Sequence, residues 1–167
     1  MSANLSRRNF FRGSGNKPTP LRPPWARPEA EFKKQCTGCN DCIEACPENI
    51  IVDCGDLPQI DFRDGYCTFC GDCVKACAAG AFVAEATCDN LSNCSAWSLR
   101  AHFDHRCIAA RGTECRICGE QCEVEAIRFR PRRGGPPIPT IDAAICTGCG
   151  ACVGPCPTGA IEVSRSA

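Results

Sequence analysis

The chain lacks the equipment of several large classes of protein. Among 167 residues there are two histidines, one methionine, one tyrosine and two tryptophans. No apolar run reaches the roughly 20 residues that a membrane-spanning helix needs. There is no Ser/His/Asp arrangement, no phosphate-cradling glycine loop and no H-E-x-x-H pair. No substrate site is evident, and the chain is expected not to be an enzyme. Leu, Ile and Val are sparse, so apolar burial alone would leave a chain of this size marginal. Net charge is also missing, at a formal zero, but that zero is a sum of unlike parts. Residues 1–35 carry eight basic and two acidic side chains, residues 36–100 three and ten, and residues 101–167 eight and seven. A basic arm is thus joined to an acidic body. Phe10, Phe11 and Trp25 on that arm are thin support for nucleic-acid binding, and the acidic body argues against it.

Cysteine is abundant instead, with nineteen residues. At that density cross-links or metal must replace part of a core. Four segments repeat: "CTGCNDCIEACP" from Cys36, "CTFCGDCVKACA" from Cys67, "ECRICGEQCEVEAI" from Glu114 and "CTGCGACVGPCP" from Cys146. The first, second and fourth read C-x2-C-x2-C-x3-C. The third lacks the leading cysteine at that spacing but has Cys107 upstream, which gives C-x7-C-x2-C-x3-C.

The spacing has a physical reason. Three cysteines two residues apart wrap a tight loop around one face of a cubane, and the fourth reaches the neighbouring cluster of a two-cluster ferredoxin. Gly38, Gly71, Gly148 and Gly150 let backbone amides approach cluster sulfurs. A zinc site would want two separated C-x2-C pairs without a further cysteine crowding in. A disulfide framework would want a secreted context and an even count. A thioredoxin-type pair would want a βαβ setting that these Pro- and Gly-punctuated segments do not offer. The iron–sulfur reading stands above all three.

Chain distance pairs repeat one with two and repeat three with four. The expected cofactors are four 4Fe-4S clusters with crossed ligands. Cys36, Cys39, Cys42 and Cys77 hold the first; Cys67, Cys70, Cys73 and Cys46 hold the second. Cys107, Cys115, Cys118 and Cys156 hold the third; Cys146, Cys149, Cys152 and Cys122 hold the fourth. Sixteen thiolates around four oxidised cores add roughly −8 to the metallated molecule. Cys54, Cys88 and Cys94 are left as spare thiols. His102 and His105 beside Cys107 are expected to be structural or solvated rather than ligands, because each repeat already has four cysteines.

Short apolar alternations, "NIIV", "QIDF", "GAFVA", "AIRFR", "PTID" and "AIEV", read as strands. "IEACP" and "VKACA" read as single helical turns. The expected fold is α+β: two tandem bacterial-type two-cluster ferredoxin modules with short strands and helical turns, plus an extended arm. The expected divisions are a basic, proline-containing arm over 1–34, a first module over 35–84, a linker over 85–104 and a second module over 105–167. Trp25 is expected to dock on a module, and Trp97 and Phe103 to cover the second one. "RPRRGGPPIPT" reads as a loop with solvated arginines. Without metal the modules should be largely unfolded.

"SRRNFFRG" at 6–13 begins like an export address. The apolar stretch and small-residue cleavage site that should follow are replaced by "SGNKPTPLRPPWARPEAEFKK". A cytoplasmic location is therefore expected.

With "SRRNFF", "RPPW", four cysteine sets and the widened third set ending "ECRICGEQCEVEAIRFRP", the chain resembles the NapF family, ferredoxin-type accessory proteins of the periplasmic nitrate reductase system. The resemblance covers nearly the whole chain. Ala78 departs from it, standing where a proline usually follows the fourth cysteine. The resemblance implies a cytoplasmic protein with four 4Fe-4S clusters. Its partner would be the precursor of the molybdenum-containing catalytic subunit, whose own cluster it helps to mature before export. Cysteine spacing equally allows a plain electron carrier in peripheral contact with a membrane quinol dehydrogenase.

Overall fold

The computed structural model describes residues 20–55, 57–83 and 96–165. Arg22 is the first anchor. Its side chain is 7 % exposed and pairs with Glu29 at 2.9 Å, while a second nitrogen donates to the Pro58 carbonyl at 2.9 Å. Helix α1 (Glu29–Gln35) follows directly. Pro28 precedes it, Glu29 and Glu31 fill its first turn and Lys33 and Lys34 its last, which complements the helix dipole at both ends. Its buried residue, Phe32, is 0 % exposed and meets Phe82 edge-on at 5.8 Å.

Two short helices carry the third cysteines of the first two repeats: α2 (Asp41–Glu44) holds Cys42 and α3 (Asp72–Lys75) holds Cys73. Each starts after a left-handed residue, Asn40 at φ 70° and Gly71 at φ 76°. Asn and Gly are the residues that adopt this conformation at least cost. Between the helices, β1 (Ile51–Asp53) pairs antiparallel with β2 (Pro58–Ile60), Ile51 opposite Ile60. A bridge between Ala26 and Phe82 closes this first unit, so the described part of "GAFVA", residues 80–83, contributes one bridge.

The second unit repeats the plan. β3 (Leu99–Phe103) pairs antiparallel with the last strand, β6 (Ile161–Arg165), where the first unit has only its bridge. α4 (Ile117–Glu120) carries Cys118. β4 (Ile127–Arg132) and β5 (Gly135–Ile141) form a hairpin, with Ile127 opposite Ile141. All four repeats end alike after the fourth cysteine. The amides of Asn49, Gly80, Glu125 and Gly159 donate to the carbonyls of Cys46, Cys77, Cys122 and Cys156. The turn therefore survives Ala78 in place of proline.

Three expectations need correction. Residues 20–34 do not extend as an arm: Trp25 docks on the first unit as expected, Phe32 joins it in that unit's core and Arg22 is buried as well, because Trp25 and Phe32 have apolar area to bury. Residues 97–104 are not linker, since β3 is the partner that β6 requires. "RPRRGGPPIPT" is mostly β-hairpin. Pro131 is accommodated at a register shift between Arg130 and Arg132, one of the places where a residue without N–H can enter a strand. Residues 6–13, Cys88 and Cys94 lie outside the described residues.

The units dock through close backbone approach. The Cys67 amide donates to the Cys149 carbonyl at 2.8 Å, and the Trp97 indole donates to the Thr147 carbonyl at 2.9 Å. At Gly148 (φ 73°) a side chain would strike the Leu99 carbonyl, and at Gly150 (φ 85°) it would strike the Phe62 ring. Gly150 thus serves this seam as well as the cysteine loop, while Gly148 lets the same loop approach β3 within the second unit. Trp97 lies between the units, edge-on to Phe62 at 6.0 Å and to Phe69 at 5.7 Å.

Phe32→Ala should cost about 3–5 kcal/mol through the cavity it opens, measured by denaturant unfolding of the metallated protein. A residue on a solvated arm would cost less than about 0.5 kcal/mol.

Candidate iron–sulfur centres

The repeats bring the predicted cysteines together in fours, and the fours are crossed. One chamber in the first unit is lined by Cys67, Cys70 and Cys73 together with Cys46, which belongs to the preceding repeat. Its counterpart in the second unit is lined by Cys107, Cys115 and Cys118 together with Cys156 from the last repeat. For the other two groups, electrostatic neighbours tell the same story. Cys42 feels Cys36, Cys77 and Cys39; Cys149 feels Cys146 and Cys122. All the described cysteines are free thiols, and among the described residues no three His, Cys, Asp or Glu side chains converge on a single ion. The donor set is all sulfur, four to a chamber, and fits a 4Fe-4S cubane.

The widened third loop is compatible with this. From Cys107 the chain makes a tight turn, with Arg111 donating to the Cys107 carbonyl and Thr113 to that of Ile108. The extra residues are absorbed in that turn, and Cys107 and Cys115 still line one chamber.

Burial controls thiol chemistry here. Desolvation pushes the thiols of Cys67, Cys73 and Cys152 up to about 12, and those of Cys42 and Cys118 up to about 11. Neighbouring cysteines add to the rise, since thiolates repel. At Cys67 an amide works in the opposite direction. Phe69 N–H donates to Cys67 Sγ at 3.4 Å and Ala160 N–H to Cys156 Sγ at 3.3 Å. Hydrogen bonds of this kind to cluster sulfurs are one of the levers on redox potential.

Within each unit the third cysteines face one another: Cys73 feels Cys42, and Cys152 feels Cys118. Between units, the Cys67–Cys149 backbone bond joins the second and fourth groups. A groove of about 200 Å³ runs along that seam, lined by Tyr66, Cys67, Thr68, Thr147 and Cys149 among others. The four groups therefore stand in the order one, two, four, three.

His102 and His105 are both exposed, and neither lines the Cys107 chamber. Cys54 is exposed and lines neither of the two chambers described. Trp25 is 9 % exposed, and Phe103 lines the Cys107 chamber, covering the second unit. Phe69 was not singled out by its spacing. It occupies the position filled by Gly38 and Gly148 in the sister repeats and holds φ 57°, a strained conformation for an aromatic. Packing against Trp25 at 6.2 Å and Trp97 offsets that strain. The break in the glycine pattern, visible once the repeats are aligned, was the available signal.

Four crossed cysteine groups in two like units define a tandem dicluster ferredoxin. The 4Fe-4S dicluster domain family matches residues 35–82 and again residues 106–160, which makes this a four-cluster iron–sulfur protein. The chain is 37 % identical over 163 residues to the ferredoxin-type protein NapF of Escherichia coli K12, covering 96 % of this chain and 95 % of that one. It is 38 % identical to the ferredoxin-type protein NapF of Haemophilus influenzae, over 96 % and 94 % of the two chains. The methylamine utilization ferredoxin-type protein MauM of Methylobacillus flagellatus is 36 % identical over 80 % of this chain and 62 % of its own. The chain belongs to the NapF family of ferredoxin-type proteins.

Because buried thiols near 12 are protonated at neutral pH, cluster assembly must expel those protons. Reconstitution of metal-free protein in weak buffer near pH 7.5 should release about one proton per ligand cysteine, read by potentiometric titration. Assembly should also quicken as pH rises toward the thiol range.

Proposed function

We propose that the protein is a cytoplasmic accessory protein that binds the catalytic subunit of the periplasmic nitrate reductase before export and assists maturation of its iron–sulfur cluster. It is not itself an enzyme. The observation that carries this reading is similarity to NapF proteins along almost the full length of both chains, coupled to a framework that gathers cysteines in four groups. The ligand sets are assigned as the crossed fours: Cys36, Cys39, Cys42 and Cys77; Cys67, Cys70, Cys73 and Cys46; Cys107, Cys115, Cys118 and Cys156; Cys146, Cys149, Cys152 and Cys122.

A bound 4Fe-4S cluster supplies one-electron chemistry at a potential set by its surroundings. The residues of the chain do the rest. Loop cysteines grip, and the third and fourth cysteines tie neighbouring groups together. The amides of Phe69 and Ala160 stabilise negative charge on sulfur. Phe103, Phe69 and Trp25 shield the chambers from water. Among the described residues no helix is long and apolar enough to cross a membrane, so contact with a membrane quinol dehydrogenase would be peripheral.

One observation favours a second reading, an electron carrier between such a dehydrogenase and the nitrate reductase. The direct Cys67–Cys149 backbone bond sets the two units' cysteine groups side by side, as a carrier requires and a cluster donor does not.

Anaerobically purified protein should hold about sixteen irons and as many sulfides, four per cubane. Cys115→Ala should lose about four of those irons and loosen the second unit while sparing the first, seen by iron analysis and limited proteolysis. A colourless native preparation loaded with zinc would remove the ligand assignment. Affinity capture from cytoplasm separates the two roles: an unprocessed molybdoenzyme precursor supports maturation, and a membrane quinol dehydrogenase supports the carrier.

A further inference from the structure

The β4–β5 hairpin exposes Arg128, Arg130, Arg132 and Arg133. Five other arginines of the described residues sit beside carboxylates: Arg22, Arg27, Arg63, Arg106 and Arg116 are each ion-paired, whereas Arg100 is held by the Ala143 and Leu99 carbonyls and Arg165 stands apart at the end of β6. Among the described residues none of the four hairpin arginines has such a partner. Ile127 is buried and Phe129 half-buried, so Arg128 and Arg130 share the outward face of β4. Across the strand pair they face Thr140 and Ile138, neither of them acidic. Side chains two residues apart on one face lie about 7 Å apart, so these guanidinium groups repel one another with no ion-pair partner among the described residues.

The hairpin's other side belongs to the third cysteine group. Phe129 lies against Gly119 in α4, with the Arg116 guanidinium 5.4 Å from its ring centre. Pro139 of β5 lines the chamber that holds Cys107, Cys115, Cys118 and Cys156. Arg132 folds back and donates to the Ala110 carbonyl at 3.1 Å, within the loop that widens the third motif. Arg111, next in that loop, is exposed and likewise without an ion-pair partner among the described residues. Unneutralised positive charge thus covers the outside of a terminal cysteine group.

We propose that the β4–β5 hairpin, with Arg111 beside it, is a docking surface for an acidic face of a partner protein, which it seats against the Cys107 chamber. Complementary charge of this kind steers encounter and fixes orientation. An extended polyanion fits less well. Residues 36–100 carry ten acidic and three basic side chains, and a membrane or nucleic acid would meet that repulsion too, whereas a partner face a few carboxylates wide meets the arginines alone. The charge argument stands by itself; the redox meaning of the location rests on the cluster reading above.

The test uses anaerobically prepared, metallated protein with flavodoxin, a small acidic electron carrier, as probe in calorimetry at low salt. Wild-type binding should weaken steeply as ionic strength rises. Arg128→Gln combined with Arg130→Gln should weaken it about tenfold, and Arg133→Gln alone should produce a smaller loss. Arg27→Gln, at an already paired arginine, should change it by less than about twofold. Equal affinity in the hairpin variants, or wild-type binding indifferent to salt, overturns the proposal. So does arginine-dependent binding to phosphatidylglycerol-containing vesicles in preference to flavodoxin. Iron and sulfide content of the same samples keeps the two readings apart: arginine-dependent docking by a protein without iron sinks the cluster assignment alone.

Discussion

Sulfur held at a distance from sulfur is the constraint on which the molecule turns. Four thiols must surround each chamber closely enough to grip a cubane and far enough apart to admit one. Burial that excludes water from the chamber also disfavours the thiolate that must form there, so Cys67, Cys73 and Cys152 are held as thiols until metal arrives. The framework is therefore costly to ionise when empty and satisfied when loaded. Folding and metallation are coupled through that one balance. The short helices serve it: α2, α3 and α4 each last four residues, long enough to aim one cysteine and too short to persist alone.

Apolar packing is divided unevenly between the units. The first has Phe32, Phe62, Phe69, Phe82 and Trp25 around its chambers, while the second buries mainly Ala101, Ile127 and Ile161 with Cys118 and Cys152. The second unit compensates with longer strand pairing, β3 to β6 and β4 to β5, and by sharing the aromatic seam. Val163 of β6 packs against both cores. Docking of the units is part of how the second one stays folded, and it places the Cys67 and Cys149 backbones in direct contact.

The electrostatic pattern follows the same division. Ion pairs cluster where the chain must be fixed: Arg22 with Glu29 at the start of the first unit, Arg63 with Asp61 after β2, and Arg106 with Asp104 just before Cys107. Each of these carboxylates is held below its usual range, first of all by the hydrogen bonds from its arginine. The hairpin arginines lie outside this scheme. Among the described residues, a body made more acidic by its thiolates once loaded carries this cationic hairpin beside a terminal cysteine group.

Repeat spacing pointed to the cysteine groupings, because loop closure around a cubane is a local geometric problem, and apolar alternation marked most of the strands; the helical turns came out a few residues earlier than "IEACP" and "VKACA", at Asp41–Glu44 and Asp72–Lys75. A left-handed residue before the third cysteine could be read from Gly71 and Gly150, and Asn40 completes it. What the sequence could not decide was long-range. The partner of β6 lies about sixty residues upstream in a stretch without motif, and nothing local marks Leu99–Phe103 as a strand. Arg22 and Phe32 read as parts of a solvated arm because charge and proline dominate their neighbourhood, yet tertiary contact buries both. Pro131 argued for a loop, and a register shift made room for it in a strand. The seam was invisible for the same reason. That Gly150 must also admit Phe62 is a matter of two surfaces meeting, and only the folded chain brings those surfaces together.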